Sequence, residues 1–404
     1  MKAIVTTYRT GGDRIALAAV RALARAGWQV TLASDDLTTP AFRSRHVTAR
    51  LQVPSPITDP TGHARALVQA ARDSGIRVIL PTDDYAVLAL VHARAELGDQ
   101  LRAPLPPAGA LDLTHDKTAT LELAARTGLA IPPSFPVDTA AAAQMRAAGT
   151  GFPVVLKLAR GNGAVGLKIA HEPSDIDRYF DDRAREHADN PHRDGVFDFS
   201  QVVLQGYVGS ETHDFSALCD RGRVLAAVTT RRALTFPHDG GIGILVETTR
   251  DPALEAAGAR LLEALNWHGP AQVEFRRAPD GSGAPFLIEV NGRFWGSLAA
   301  SVAAGVNFPD MACRLALGQP IGPAPQVRVG LRYRYPLPFL FEYARSGAPW
   351  RDIWQLAQAF LGARSDLRLS DPAPALAQIR QALAAGQDAT NLSPLAATAD
   401  HPPD

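Results

Sequence analysis

The residues of this chain best suited to chemistry lie in one stretch: AlaGlnValGluPheArgArg at 271–277, a loop with AspGlySerGly at 280–283, then ProPheLeuIleGluValAsnGlyArg at 285–293. Glu274 and Glu289 are equally far from the centre of that loop. A symmetric hairpin therefore sets them opposite one another, with Cβ atoms about 4.5 to 5.5 Å apart, where two carboxylates repel. Asn291, two residues beyond Glu289, faces the same side of the sheet and adds a third oxygen. Such a hard-oxygen set is what Mg²⁺ takes, leaving the rest of its octahedron to phosphate oxygens and water. Arg293, two residues further on, is placed for an anionic oxygen that the metal does not reach. The plainer alternative is a solvated polar face with Gln272 and Arg276 as cross-strand partners. Apolar Val273, Phe275, Ile288 and Val290 on the other face argue against it, because they require the hairpin to cover a core.

A lysine inside an apolar strand is the second signal. Lys157 sits in ProValValLeuLysLeuAla, and a loop with Gly161, Gly163 and Gly166 follows before another strand. Burying a lysine requires a counter-charge. A phosphate supplies one, and a glycine loop lets backbone N–H groups close over the neighbouring phosphates. The loop is not a Walker A motif, since no GlyLysSer or GlyLysThr follows and it joins two strands. Taken alone, a glycine hairpin with an edge lysine reads equally well. In the third stretch, residues 201–215, a strand opens into a loop and a second strand follows. The backbone of Gln205, Gly206, Tyr207 and Val208 could read an adenine edge there, and Glu211 could accept from ribose hydroxyls. An ordinary strand connection wins unless all three stretches share one site.

The elements that must position these groups fall into two patterns. LysAlaIleValThrThr, a turn from Tyr8 to Gly12, an apolar-periodic helix and TrpGlnValThrLeuAlaSer open a doubly wound α/β unit, which IleArgValIleLeuProThr continues as a buried parallel strand. Ligands sit beyond the strand carboxyl ends of such sheets, which here carry Thr7–Gly12 and Thr82–Asp84. Arg9, Gly11, Gly12 and Asp83 are therefore candidate substrate contacts, with ordinary turn chemistry as the alternative. Prolines at 104–107 and 131–136 flank a helix that holds Lys117, which marks a domain junction. From about 150, short strands alternate with glycine turns, an antiparallel pattern with few helices. The expected class is α/β and α+β: a doubly wound parallel-sheet domain (1–110), antiparallel sheet from about 150, a helical extension (326–388) and a disordered tail (389–404).

Composition excludes several classes. Of the 404 residues, Lys plus Arg number 41 and Asp plus Glu number 41, so no charge excess points to nucleic acid. Cys219 and Cys313 are the only cysteines and lack metal-ligand spacing. The first residues lack the apolar core of a signal peptide and no uncharged run is long enough to span a bilayer, so a cytoplasmic location is expected.

In order, Lys117 in HisAspLysThrAlaThr, Lys157 with its glycine loop, LeuGlnGlyTyrValGlySerGlu at 204–211, Glu274, and GluValAsnGlyArg at 289–293 resemble the ATP-grasp superfamily. Within it they resemble the carbamoyl-phosphate-synthase-like and carboxylate–amine ligase branch. The likeness spans about 115–320, with a matching α/β domain before it. It implies that two α+β subdomains, a small one at 111–205 that includes the linker helix and a large one at 206–325 that carries the metal site, grip ATP, with Lys117, Lys157 and the glycine loop on the phosphates, Gln205–Val208 on adenine and Glu211 on ribose. Glu274, Glu289 and Asn291 would hold two Mg²⁺ ions, for which Mn²⁺ could substitute. Arg293 would meet the transferred phosphate and the tetrahedral intermediate, and Arg232 would be a further phosphate contact.

Two departures matter. Gln205 stands where many members have a glutamate, and Ser297 lies near where the biotin-dependent carboxylases carry a glutamate base, which argues against bicarbonate chemistry. No biotin-attachment segment or second ATP-grasp copy is present. Ser297 is kept as a substrate contact rather than a nucleophile. The implied reaction is phosphorylation of a carboxylate by ATP and attack of an amine on the acyl phosphate, with small-molecule substrates and no nucleic acid; a homodimer is left open. The rivals are a nucleotide-binding regulatory or scaffold protein of the same fold without turnover, and a membrane-associated role for the aromatic stretch 333–362.

Overall fold

The computed structural model describes residues 1–8, 13–98, 102–161, 166–189, 198–209, 211–236, 242–277, 285–337 and 357–385. Arg9, Gly11, Gly12 and Gly163 of the expected site lie outside them, as do most of the aromatic stretch and the C-terminal tail. Among the described residues no helix is long and apolar enough to cross a membrane.

The first sheet contains β1 (Lys2–Thr6), β2 (Gln29–Ser34), β3 (Val47–Gln52) and β4 (Ile79–Leu80), all parallel and in the order β3-β2-β1-β4. The helix Asp13–Arg25 follows β1 because its apolar positions recur at helical spacing; Ile15, Ala19 and Leu23 are buried, and Gly27 at φ 83 follows its end. The chain winds outward from β1 to β3 and then crosses to β4 on β1's other side. The switch in direction leaves a crevice where β1 and β4 end, and Thr82 Oγ1 donates to Thr6 O across it at 2.6 Å.

The second sheet contains β5 (Ser134–Val137), β6 (Val154–Arg160), β7 (Lys168–Ala170) and β8 (Asp198–Gly206), antiparallel in the order β5-β8-β6-β7. It has a core of its own, with Val154, Leu156, Val202 and Leu204 packed against Ala143, Ala147 and Ile176 of two covering helices. The third and largest sheet takes β9 (Thr212–Asp220), β10 (Arg223–Phe236), β11 (Ile242–Thr249), β12 (Gly269–Arg276), β13 (Phe286–Asn291), β14 (Arg332–Arg334) and β15 (Arg364–Ser365), in the order β13-β12-β9-β10-β11-β14-β15. Its buried face is continuous with the first sheet's: Ile4, Ala33 and Leu90 share one core with Phe215, Val273, Phe275 and Leu287.

Several elements differ from expectation. The stretch after 150 holds more helix than the strand pattern indicated: Pro173–Asp189, Pro252–Ala264, Leu298–Ala303 and Phe308–Ala316. IleProProSerPhePro, read as punctuation, contributes β5, and Pro136 is tolerated there because β5 is an edge strand. The segment 326–388, expected to be helical, adds β14 and β15 to the large sheet before its helix Ala373–Ala385.

Candidate active site

The register of β12 on β13 pairs Glu274 with Glu289 and Gln272 with Asn291. A bulge between Glu274 and Phe275 then shifts the ladder by one, so Phe275 faces Leu287 and not Ile288. Leu287 is fully buried and takes the core position expected of Ile288, which is only half-buried. Gly292 ends the strand where a Cβ would meet Leu111 Cδ1 at 2.8 Å and the Trp267 ring at 3.0 Å. Only glycine lets the chain turn this close to the helix Ala108–His115 and carry Arg293 back toward the site.

On the other side of β12 the register sets Asp214 of β9 opposite Glu274. Three carboxylates thus cross three adjacent strands. Arg232 of β10 neutralises two of them, with NH2 at 2.8 Å from Asp214 Oδ1 and 2.6 Å from Glu274 Oε1. Burial weakens a guanidinium's charged form, but here Asp214 and Glu274 outweigh it and the Arg232 pKa rises. Expected on a phosphate, Arg232 is here the counter-ion of the carboxylate row. Removing it would leave buried carboxylates uncompensated, a cost of about 3 to 5 kcal/mol. Arg276, a cross-strand partner in the plainer alternative, donates to Gly209 O at 2.6 Å.

Asn291 donates its amide nitrogen to Glu274 Oε1 at 3.2 Å and to Glu289 Oε1 at 3.4 Å, while its Oδ1 accepts from Arg293 NH2 at 3.2 Å. Rotation of the amide about χ2 is what would present Oδ1 to a cation, at the expense of the Arg293 bond. Arg293 also donates through Nε to Asp84 Oδ2 at 2.8 Å and through NH1 to Phe294 O at 2.9 Å. A guanidinium has more N–H groups than these three bonds use, so donors remain for a substrate oxygen. Asp84 comes from the crevice at the end of β4. The structure thereby joins the first sheet's switch point to Arg293 through Asp84, whereas Asp83, the residue expected there, caps the helix Asp84–His92 by accepting from Ala86 N at 2.9 Å. Burial holds the Asp83 carboxyl up at about 7.

The lysines approach from the second sheet. Lys157 on β6 is buried and donates to Gln205 Oε1 at 3.0 Å; Gln205 in turn donates to Ser134 Oγ at 2.9 Å. Gln205 thus holds a lysine next to the last residue of β8. Asp116 caps the helix Lys117–Arg126 by accepting from Thr118 and Ala119 N–H, which sets Lys117 in the first turn with Nζ 2.8 Å from Gly161 O. Burial lowers the pKa of both lysines, that of Lys157 to about 7, while Glu289 and Glu274 pull each back up. The lysines and the glutamates therefore share one electrostatic site. Gly166, at φ 67, lies against Leu158, where a Cβ would meet Cγ at 2.8 Å. Gly206 N donates to Pro133 O at 2.8 Å, and Tyr207 and Val208 follow half-buried. Glu211 is 3.4 Å from Arg231 NH1 and 3.5 Å from His213 Nε2. Ser297 precedes the helix Leu298–Ala303, its buried Oγ without a hydrogen-bond partner.

The residues fit a divalent cation. Among the described residues no three His, Cys, Asp or Glu side chains could hold a metal on their own. Two carboxylates and an amide do suit Mg²⁺ that keeps phosphate oxygens and water as its other ligands. Burial pushes the Glu274 carboxyl up to about 7; Arg232 opposes the rise, and Glu289 and Asp214 add to it. Its ordinary value is 4.5, so this group's contribution to stability is present below pH 4.5 and is lost as pH rises through about 7. A cation needs the ionised form and releases that proton, while a phosphate at Lys157 needs the ammonium and takes one up. Calorimetry of MgATP binding at pH 7, in buffers of different ionisation enthalpy, should show little net proton exchange for the native chain. Net release is expected for Lys157→Met and net uptake for Glu274→Gln; the same sign in both variants would contradict the pairing.

Residues 198–336 match the family model described as an ATP-grasp in the biosynthetic pathway with Ter operon, and residues 116–207 match the carbamoyl-phosphate synthase L chain ATP-binding domain. The chain is 29% identical over 280 residues to carnosine synthase 1 of Gallus gallus, covering 64% of this chain and 29% of that one. It is 27% identical over 221 residues to the carbamoyl phosphate synthase large chain of Xylella fastidiosa, covering 52% and 19%. It therefore spans less than a third of either curated relative. A biotin carboxylase from Campylobacter jejuni, solved as a β,γ-ATP complex, superimposes with a TM-score of 0.64 at 16% identity over 82% of this chain and 74% of that one, a likeness of fold.

Proposed function

The chain belongs to the ATP-grasp superfamily, and from that premise we propose that it is a ligase that uses ATP to phosphorylate a carboxylate and couples the acyl phosphate to an amine, releasing ADP and phosphate. The observation that carries this reading is the Glu274–Glu289 pair, with Arg293 beside it and Lys117 and Lys157 within its field. A carboxylate is a poor electrophile because its leaving group would be oxide; phosphorylation makes that group phosphate. Mg²⁺, when bound, spreads the negative charge of the phosphates. Lys117 and Lys157 would hold phosphate oxygens, and Glu274 and Glu289, with Asn291, would hold the cation. Arg293 offers its remaining N–H groups to the oxygen that gains charge as the γ-phosphoryl group moves and as the amine attacks. The curated relatives named carnosine synthase 1 and carbamoyl phosphate synthase large chain support ATP-driven activation, and the absence of a glutamate near Ser297 favours an amine over bicarbonate chemistry.

Asp84 acts through Arg293 by fixing the guanidinium plane from the first sheet. Asp84→Asn should lower kcat on the order of 10 to 100-fold with ATP affinity held, because a small misplacement of a reacting group costs about that much. An unchanged kcat would remove Asp84 from this role. The reaction itself is tested by screening the purified protein with amino acids and small carboxylates. ADP release that requires both a carboxylate and an amine supports the ligase; ADP release that requires bicarbonate would refute it.

A further inference from the structure

A second site lies at the opposite end of the large sheet. A cleft of about 870 Å³ is lined by Arg94, Arg221, Arg223, His268 and Asp220, with apolar wall from residues such as Leu225, Leu315 and Ile321. It is formed where the segment before the helix Ala108–His115, the β9–β10 turn, the start of β12 and the loop after the helix Phe308–Ala316 meet. Asp214 and Asp220 are six residues apart on β9, so at strand rise the cleft is about 20 Å from the carboxylate row. Its volume falls within the range of small-molecule sites.

The charges in the cleft point to an anion. Three guanidinium groups face one carboxylate. Asp220 pairs with Arg221 Nε at 3.2 Å and lies 3.3 Å from His268 Nδ1, so it is shared. Arg94 NH2 is tied to the carbonyls of Leu105 at 3.1 Å and Pro106 at 2.5 Å, which fix it without neutralising its charge. Arg223 is exposed, and its side chain has no hydrogen bond or ion pair among the described residues. Burial lowers the His268 pKa, Asp220 opposes that shift, and Arg221 and Arg94 act against Asp220 by smaller amounts.

The turn adds an independent observation. Arg221 and Gly222 have φ 46 and φ 82, the left-handed pair of a two-residue hairpin turn that ordinarily takes Asn, Asp or Gly first. Gly222 N donates to Trp267 O at 2.8 Å, which clamps the turn. Arginine is a strained choice there, and it places a guanidinium, 77% exposed, at the rim of the cleft.

We propose that this cleft binds a small molecule that carries two or more negative charges, as phosphate or carboxylate, on an apolar body. The arginine forks take either group in paired hydrogen bonds, and the leucine and isoleucine wall takes the body. The site is independent of the ligase reading. Isothermal titration of the full chain without Mg²⁺, using inorganic pyrophosphate and separately citrate, compares native protein with Arg221→Ala/Arg223→Ala and with Lys157→Ala. Both cleft arginines are exposed, so the double variant should keep the native melting temperature. The expected result is saturable binding of at least one probe, weakened at least tenfold by the arginine pair and unchanged by Lys157→Ala; the tighter probe identifies the anionic group. No saturable binding of either probe, a loss under tenfold in the arginine variant, or a loss that follows Lys157→Ala instead would overturn the proposal.

Discussion

Arg293→Ala is expected to lower kcat by a factor on the order of 100 or more, with little change in affinity for a non-hydrolysable ATP analogue. The reason is positional. Lys157 lies on β6 beside the glycine loop, where the proposed mechanism has it meet phosphate oxygens as soon as nucleotide arrives, so Lys157→Ala should weaken analogue binding clearly. Arg293 lies past Glu289 and Asn291 and is held by Asp84; in the proposed mechanism it acts where the acyl phosphate would form. The substitution also strips Asp84 of its partner and should lower the melting temperature. The double variant Asp84→Asn/Arg293→Ala separates the effects: it regains stability without regaining turnover. If Arg293→Ala loses analogue affinity as badly as Lys157→Ala yet turns over normally at saturation, then Arg293 is a ground-state nucleotide ligand.

Glu289→Gln should abolish turnover and leave the fold intact. Its partner across the ladder is Glu274, itself already neutralised in part by Arg232, so losing one negative charge relieves repulsion. The metal-free variant should therefore melt no lower than the native chain. Native protein gains stability from MgATP by ligand linkage, and the variant should gain much less. Full activity in Glu289→Gln, or an undiminished MgATP shift, would remove Glu289 from the cation site.

The pairing of Glu274 with Glu289 was legible in the sequence because it needs only the centre of one hairpin loop. The bulge beside it was not, since Leu287 and Ile288 are both apolar and either satisfies the core. Asp214 escaped for a different reason: within ThrHisAspPheSer it is an unremarked strand residue, and it joins the site only through the non-local pairing of β9 with β12. That pairing also brings Arg232 onto two carboxylates. The choice between Asp83 and Asp84 could have been made from local rules. An Asp immediately before a helix is an N-cap, and treating Asp83 as one leaves Asp84 for Arg293. The three-sheet class was readable from strand composition and glycine spacing, whereas β14 and β15 are too short to give a periodic signal.

The central claim is that the carboxylate substrate accepts the γ-phosphoryl group. The direct measurement uses ¹⁸O-labelled carboxylate with ATP and the amine, followed by mass analysis of the phosphate and nucleotide released. The account predicts ADP and inorganic phosphate that carries one ¹⁸O for each amide formed. Release of AMP and pyrophosphate, with the label in AMP, would contradict it.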